Sequence, residues 1–298
     1  MSIILVEQLS RRYGRRIGVD SVDLEVRSGE IFGFLGPNGA GKTTTIRLLM
    51  GFLRADSGRA SIDGFDCWRE SPRIKRHVGY LPGDLRLYPW FTAAIALQVV
   101  SQIRGVDLDQ QGAELADRFG LERDLRVRKM SRGTRQKLGL VLAMAHRPRL
   151  LVLDEPTTGL DPLMQQELAS QLRDLAAAGC TIFFSSHTLS EVESLCDRVA
   201  IVRAGRIVAN ERLDVLRGRA QRTVELVFAE EQSARNIQLP SFLQTVRRDG
   251  RRLTCELKGS TPALIQWVSQ QSIADISIGP PDLEHLFHKF YDGEERPA

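Results

Sequence analysis

The chain has 298 residues, 42% apolar and 26% charged, with a formal net charge of +4. These proportions suit one large globular domain plus a smaller one, and the modest charge argues against a nucleic-acid binder. No apolar run reaches the ~18 residues of a membrane span, and the opening MSIILVEQLSRR lacks a secretory pattern. The four cysteines (Cys67, Cys180, Cys196, Cys255) have neither metal-site nor disulfide-framework spacing, which fits a reduced compartment.

Residues 1–30 alternate apolar and polar, with turns at Gly14 and Ser28-Gly29, and predict a small antiparallel sheet. The arginine pairs at 11–12 and 15–16 read as a solvated turn. IFGFLG (31–36) predicts a buried strand and TTIRLLMGFL (44–53) a helix. GRASIDGFD (58–66) predicts a hairpin closed at Asp63-Gly64. Residues 86–146 predict a helical subdomain, with apolar spacing of three and four in TAAIALQVVSQIRG, AELADRFG and RQKLGLVLAMAH. LLVLDE (150–155) predicts a buried strand ending in two carboxylates. An amphipathic helix, LMQQELASQLRDLAAAG, follows it. TIFFSSH then predicts a strand, SEVESLCD a helix and RVAIVRAGRIVAN a hairpin. Alternating strands and helices mean a parallel sheet covered by helices.

The character changes near residue 217, where LRGRAQR reads as a basic link. TVELVF, RLTCEL and IADISIG predict strands, ALIQWVSQQ a helix and LEHLFHKFY a closing helix. The boundaries are therefore 1–216 for the large domain and 217–298 for a small α+β domain. His285 and His288 lie three apart on the closing helix without further ligands, which favours a surface or packing role over a metal site. The hairpin RRDGRR (247–252) sets four arginines around an Asp-Gly turn, read either as a solvated tip or as a contact for anionic lipid.

Two segments carry chemistry. Gly36-Pro37-Asn38-Gly39-Ala40-Gly41-Lys42-Thr43 is a phosphate-binding loop between a strand and a helix. Its glycines let backbone N–H groups turn towards a polyphosphate, and the helix N-terminus adds its dipole. Lys42 can reach the outer phosphates and Thr43 can hold Mg²⁺. At the end of the second segment, Asp154 would stand by that metal and Glu155 beside an attacking water. The fold class is accordingly α/β, a P-loop NTPase core that binds and splits ATP or GTP. It carries an N-terminal antiparallel β subdomain, a helical subdomain and a small C-terminal α+β domain.

Three further motifs, MSRGTRQKLGL (130–140), PTTGLDP (156–162) and SSH (185–187), complete an order that resembles the ATP-binding subunits of ABC transporters across residues 1 to about 215. The C-terminal extension resembles the ABC-2 group of drug, sodium and polysaccharide exporters. The resemblance implies ATP and Mg²⁺ as cofactors. It implies that Tyr13 stacks on adenine, that residues 36–44 including Thr44 cradle the phosphates, and that Thr43 and Asp154 hold the metal. Glu155 is then the general base, and His187 contacts the γ-phosphate. Ser131 and Gly133 would reach ATP on a second ATPase subunit, and Asp161 lies in the segment linking the two sites. Separate transmembrane permease subunits are the implied partners, with the chain cytoplasmic and peripheral on the inner face of the membrane. A packing role for Tyr13 remains open at this stage.

Two departures stand out. The signature reads Met130-Ser131-Arg132-Gly133-Thr134 where relatives have Leu-Ser-Gly-Gly-Gln. A glutamine that relatives place near Mg²⁺ is Gly83 here, with Asp84 one position on as a possible substitute. The bulky residues Leu87, Tyr88, Trp90 and Phe91 either pack the helical subdomain or border the permease groove. The other function class, an ABC ATPase acting on a soluble or ribosomal partner, is disfavoured by the single ATPase copy and by the absence of a coiled-coil insertion.

Overall fold

The computed structural model describes residues 1–258, 260–284 and 287. They form two compact units that divide between Arg212 and Leu213.

The first unit opens with β1 (Ser2–Tyr13) and β2 (Arg16–Arg27), an antiparallel hairpin. β3 (Ile31–Leu35) leads into α1 (Lys42–Leu49). β4 (Ser57–Ile62) and β5 (Phe65–Asp66) complete the first sheet, in the order β2-β1-β4-β5. α2 (Ser71–His77) and β6 (Val78–Leu81) precede the helices α3 (Ala93–Arg104), α4 (Asp109–Arg118) and α5 (Arg132–Met144). Then come β7 (Leu150–Asp154), α6 (Pro162–Ala177), β8 (Thr181–Ser186), α7 (Leu189–Leu195) and the hairpin of β9 (Arg198–Arg203) with β10 (Arg206–Arg212).

The second sheet runs β10-β9-β3-β8-β7-β6, parallel from β9 to β6, with β10 antiparallel at one edge. β3, β7 and β8 are buried along their whole length, as strands covered on both faces must be, which is why they read as unbroken apolar runs. α1 packs against both sheets. Ile46 and Leu49 thereby join Ile4, Val6 and Val26 of one sheet to Phe32, Phe34, Val152 and Phe183 of the other in a single core. Fully burying such side chains stabilises the fold by about 1.5–3 kcal/mol each. α3, α4 and α5 pack on one another as the helical subdomain.

The second unit begins with α8 (Leu213–Arg219), so the stretch read as an irregular link is helical through Arg219. β11 (Arg222–Phe228), α9 (Glu231–Asn236), β12 (Leu243–Asp249), β13 (Arg252–Leu257), α10 (Thr261–Val268) and β14 (Ile273–Pro281) follow. The sheet order is β12-β13-β11-β14, with every pair antiparallel. This is the split βαβ plait of ferredoxin-like domains. Its core joins Val224, Leu226 and Phe228 to Leu253, Cys255 and Leu264. At the β12–β13 tip, Arg248 donates to the Arg235 carbonyl, Arg251 to the Ala229 carbonyl, and Arg252 pairs with Glu225. His285, His288, most of the expected closing helix and the tail lie outside the described residues.

Candidate functional site

The phosphate loop, the two carboxylates and the histidine come from the C-terminal ends of β3, β7 and β8, which are adjacent in the sheet. Parallel register brings them level: Leu35 pairs with Ser186, and Asp154 with Ser185. The ends of neighbouring parallel strands are where an open α/β sheet binds ligands.

The loop folds tightly on its own carbonyls. Gly41 has φ 112° and leads directly into α1 without a side-chain cap, which leaves the first helical N–H groups free to meet an anion. A Cβ on Gly36 would stand 2.4 Å from the Val202 carbonyl, so no other residue fits there. Lys42 is buried, and its ammonium donates to the Gly36 carbonyl at 2.6 Å and the Pro37 carbonyl at 3.2 Å. It also lies 3.4 Å from Glu155 Oε1, while His187 Nδ1 lies 3.5 Å from Glu155 Oε2. Glu155 is thus held between a cation and an imidazole, and its backbone adopts φ 51°. A side chain in that region costs roughly 1–2 kcal/mol, strain of the kind that concentrates at reactive centres.

Ser185 organises both carboxylates. Its hydroxyl donates to Asp154 Oδ1 at 2.7 Å and accepts from the Glu155 amide at 3.1 Å. Asp154 is 1% exposed, yet its Oδ2 is buried with no hydrogen-bond partner. A bare carboxylate oxygen in such surroundings is costly unless a cation meets it, and the oxygen donors of Asp154 and Thr43 suit a hard divalent ion. Beside this oxygen burial pushes the Tyr80 phenol up to about 12, and the Asp154 charge adds to the shift.

A cavity of about 390 Å³ opens over the loop, lined by Tyr13, Arg16, Asn38, Lys42, Thr43 and Glu155 among others. Gly39, Gly41 and Thr44 also line it, while Ala40 is buried beneath. The Arg11 guanidinium lies 5.5 Å from the centre of the Tyr13 ring. Arg16 is exposed, as the solvated reading expects, and also lines this cavity with its guanidinium near Gly39.

Residues 19–158 match the profile of the ABC transporter family. Over 236 residues the chain is 36% identical to the bacitracin transport ATP-binding protein BcrA of Bacillus licheniformis, covering 78% of this chain and 77% of that protein. It is 33% identical over 306 residues to the Nod factor export ATP-binding protein I of Ralstonia nicotianae, covering 99% of this chain and 95% of the relative. A solved ATP-binding subunit of an ABC transporter superposes with a TM-score of 0.68 at 30% identity, over 72% of this chain and 92% of that one. The chain belongs to the ABC transporter ATP-binding proteins. It is an ATPase subunit.

In this cassette the remaining expected residues stand away from the cavity lining. Ser131 caps α5, accepting from the Thr134 amide, and Asp161 caps α6, accepting from the Met164 amide. A Cβ on Gly133 would stand 2.4 Å from the Gly159 carbonyl, so these two segments touch. Gly83 does not have a positive φ, and a Cβ there would lie 3.2 Å from Asp154 Oδ2. Asp84 faces solvent and pairs with Arg86 at 2.9 Å.

Sequence reasoning missed Ser185, Arg16 and Gln136. Buried Gln136 donates from Nε2 to the Glu155 and Pro156 carbonyls at 3.2 and 3.0 Å, tying α5 to the end of β7. Ser185 was within reach, since pairing β7 with β8 sets the first residue of SSH beside Asp154.

Proposed function

We propose that this chain is the ATP-hydrolysing motor of an exporter, and that two copies act together on separate membrane-spanning permease subunits. The observation that carries the reading is Glu155, held by Lys42 and His187 at the mouth of the cavity, one residue from the unpartnered oxygen of Asp154.

Adenine would stack on the open face of Tyr13, with the Arg11 guanidinium close to the ring. Residues 36–44 would cradle the phosphates, with Lys42 turning from its loop carbonyls to the outer phosphates. Thr43 and Asp154 would hold Mg²⁺, which neutralises charge on the phosphates when bound. Glu155 would accept the proton of the attacking water and His187 would place it, a contribution of about 10²–10⁴ in rate.

Ser131 and Gly133 stand outside the cavity that holds Lys42, so in this reading they serve ATP bound to a second copy, and Asp161 lies between the two sites. ATP held between copies would draw them together, and hydrolysis would release them. Export follows the named activities of the relatives, bacitracin transport and Nod factor export. Among the described residues no helix is long and apolar enough to cross a membrane, so the permease would be a separate chain. Tyr88 and Trp90, exposed and stacked at 5.5 Å beside the helical subdomain, would meet it on the inner face of the membrane.

Purifying the chain from the membranes of its own cells tests the reading. A stable complex of two ATPase copies, whose hydrolysis drives efflux from cells, is expected. Hydrolysis stimulated by a co-purifying soluble partner, with no membrane partner retained, would refute it.

A further inference from the structure

Glu191 lies in the first turn of α7, four residues beyond His187, and nothing above uses it. Its two carboxylate oxygens accept hydrogen bonds from different segments. Oε1 accepts from the Thr157 hydroxyl at 2.7 Å, and Oε2 from the Ser186 hydroxyl at 2.5 Å. Hydrogen bonds to an ionised oxygen are roughly twice as strong as neutral ones.

Each partner is one or two residues from the chemistry. Ser186 precedes His187, and its hydroxyl also accepts from the Thr188 amide at 2.9 Å. That closes the backbone around His187, whose side chain is 50% exposed and approaches Glu155 at 3.5 Å. Thr157 follows Glu155 and Pro156, and its carbonyl accepts from the Leu160 amide in the turn leading to Asp161. Thr157 and Glu191 both border a cleft of about 320 Å³ between α6 and α7, with Leu168, Leu172 and Phe184 among its lining. At the edge of this cleft the carboxylate holds the Thr157 hydroxyl.

We propose that Glu191 is a positioning residue for hydrolysis: one carboxylate ties the turn that presents His187 to the segment that follows Glu155. A shift of residues 157–161 is then felt at His187, and the histidine reaches its working position only when that segment is in place. The proposal rests on the hydrolysis reading given above.

The test is a double-mutant cycle measured by single-turnover hydrolysis, which follows slow rates. Glu191→Ala is expected to slow hydrolysis about tenfold, with the Kd for ATP changed less than about twofold. In a His187→Ala background the same substitution should slow it less than about twofold further, because its effect travels through the histidine. Equal losses in the two backgrounds, or no loss in the wild-type background, would overturn the proposal. Should Glu191→Ala not fold, Thr157→Val removes one of the two hydroxyls at constant shape and enters the same cycle with the same two readings. Normal hydrolysis in Glu155→Gln would instead refute the underlying reading and is measured alongside.

Discussion

Gly83 faces the unpartnered oxygen of Asp154: the first carbon of any side chain built there would stand 3.2 Å from Oδ2. The family resemblance implies a glutamine at that place, whereas this chain has no side chain there. Because Gly83 does not use a positive φ, a side chain meets no backbone strain. Gly83→Gln should therefore retain ATP hydrolysis within about tenfold. Gly83→Leu should raise the Mg²⁺ concentration needed for half-maximal hydrolysis several-fold, since an apolar group would cover the oxygen. Asp84→Ala should leave the Mg²⁺ titration unchanged, because Asp84 is engaged with Arg86 in solvent. A shifted titration in Asp84→Ala would return the metal role to that carboxylate.

Glu155→Gln keeps the shape of the side chain and removes its basicity. Hydrolysis should slow by at least about 10²-fold. ATP binding should persist, because the loop carbonyls that hold Lys42 are untouched. The variant should also elute as a dimer in ATP on a sizing column. Turnover near the wild-type rate would remove Glu155 from the base role.

Ser185→Ala deletes the donor to Asp154 Oδ1 and the side-chain acceptor of the Glu155 amide together. A buried carboxylate oxygen would be left unpaired, at a cost of about 1–3 kcal/mol. Both the melting temperature and kcat should fall, and Ser185→Thr should recover part of each. An unchanged kcat would mean that backbone register alone aligns the carboxylates.

His146 supplies the pH dependence. Burial, helped by the Arg104 guanidinium and opposed by the Val78 backbone, lowers its pKa from the ordinary 6.5 to about 4. The folded state keeps the ring neutral where the unfolded chain is already protonated. The stability is therefore complete above about 6.5 and is lost as pH falls towards about 4. Wild-type protein should lose melting temperature relative to His146→Leu across that window. Parallel curves for the two proteins would show that the ring titrates normally.

Deleting the chain from Leu213 onward should leave a folded, ATP-binding unit, since the contacts divide at Arg212 and the second unit has its own core. Loss of ATP binding in a soluble truncation would show that the small domain acts on the site.

The reacting groups were legible because their chemistry is local. A glycine-rich turn between strand and helix needs few residues, and buried central strands announce themselves as LLVLD and TIFFSS. The residues that were missed act across strands and helices. Gln136 acts from α5 on the end of β7, and Arg16 reaches Gly39 from a hairpin distant in sequence. The plait of the second unit was equally hidden. Its strands were readable one by one, but the order β12-β13-β11-β14 depends on pairings that no short window contains. α8 was missed because Gly218 and its arginines gave LRGRAQR the composition of a loop.

The contact between Gly133 and the Gly159 carbonyl leaves no room for even a methyl group. Two short backbones pressed together in this way have no side chain to bend and take up slack. The N-terminus of α5 and the turn between Glu155 and Asp161 therefore meet backbone to backbone at this point. A side chain at Gly133 would have to push the Gly159 turn aside, and that turn leads back to Glu155.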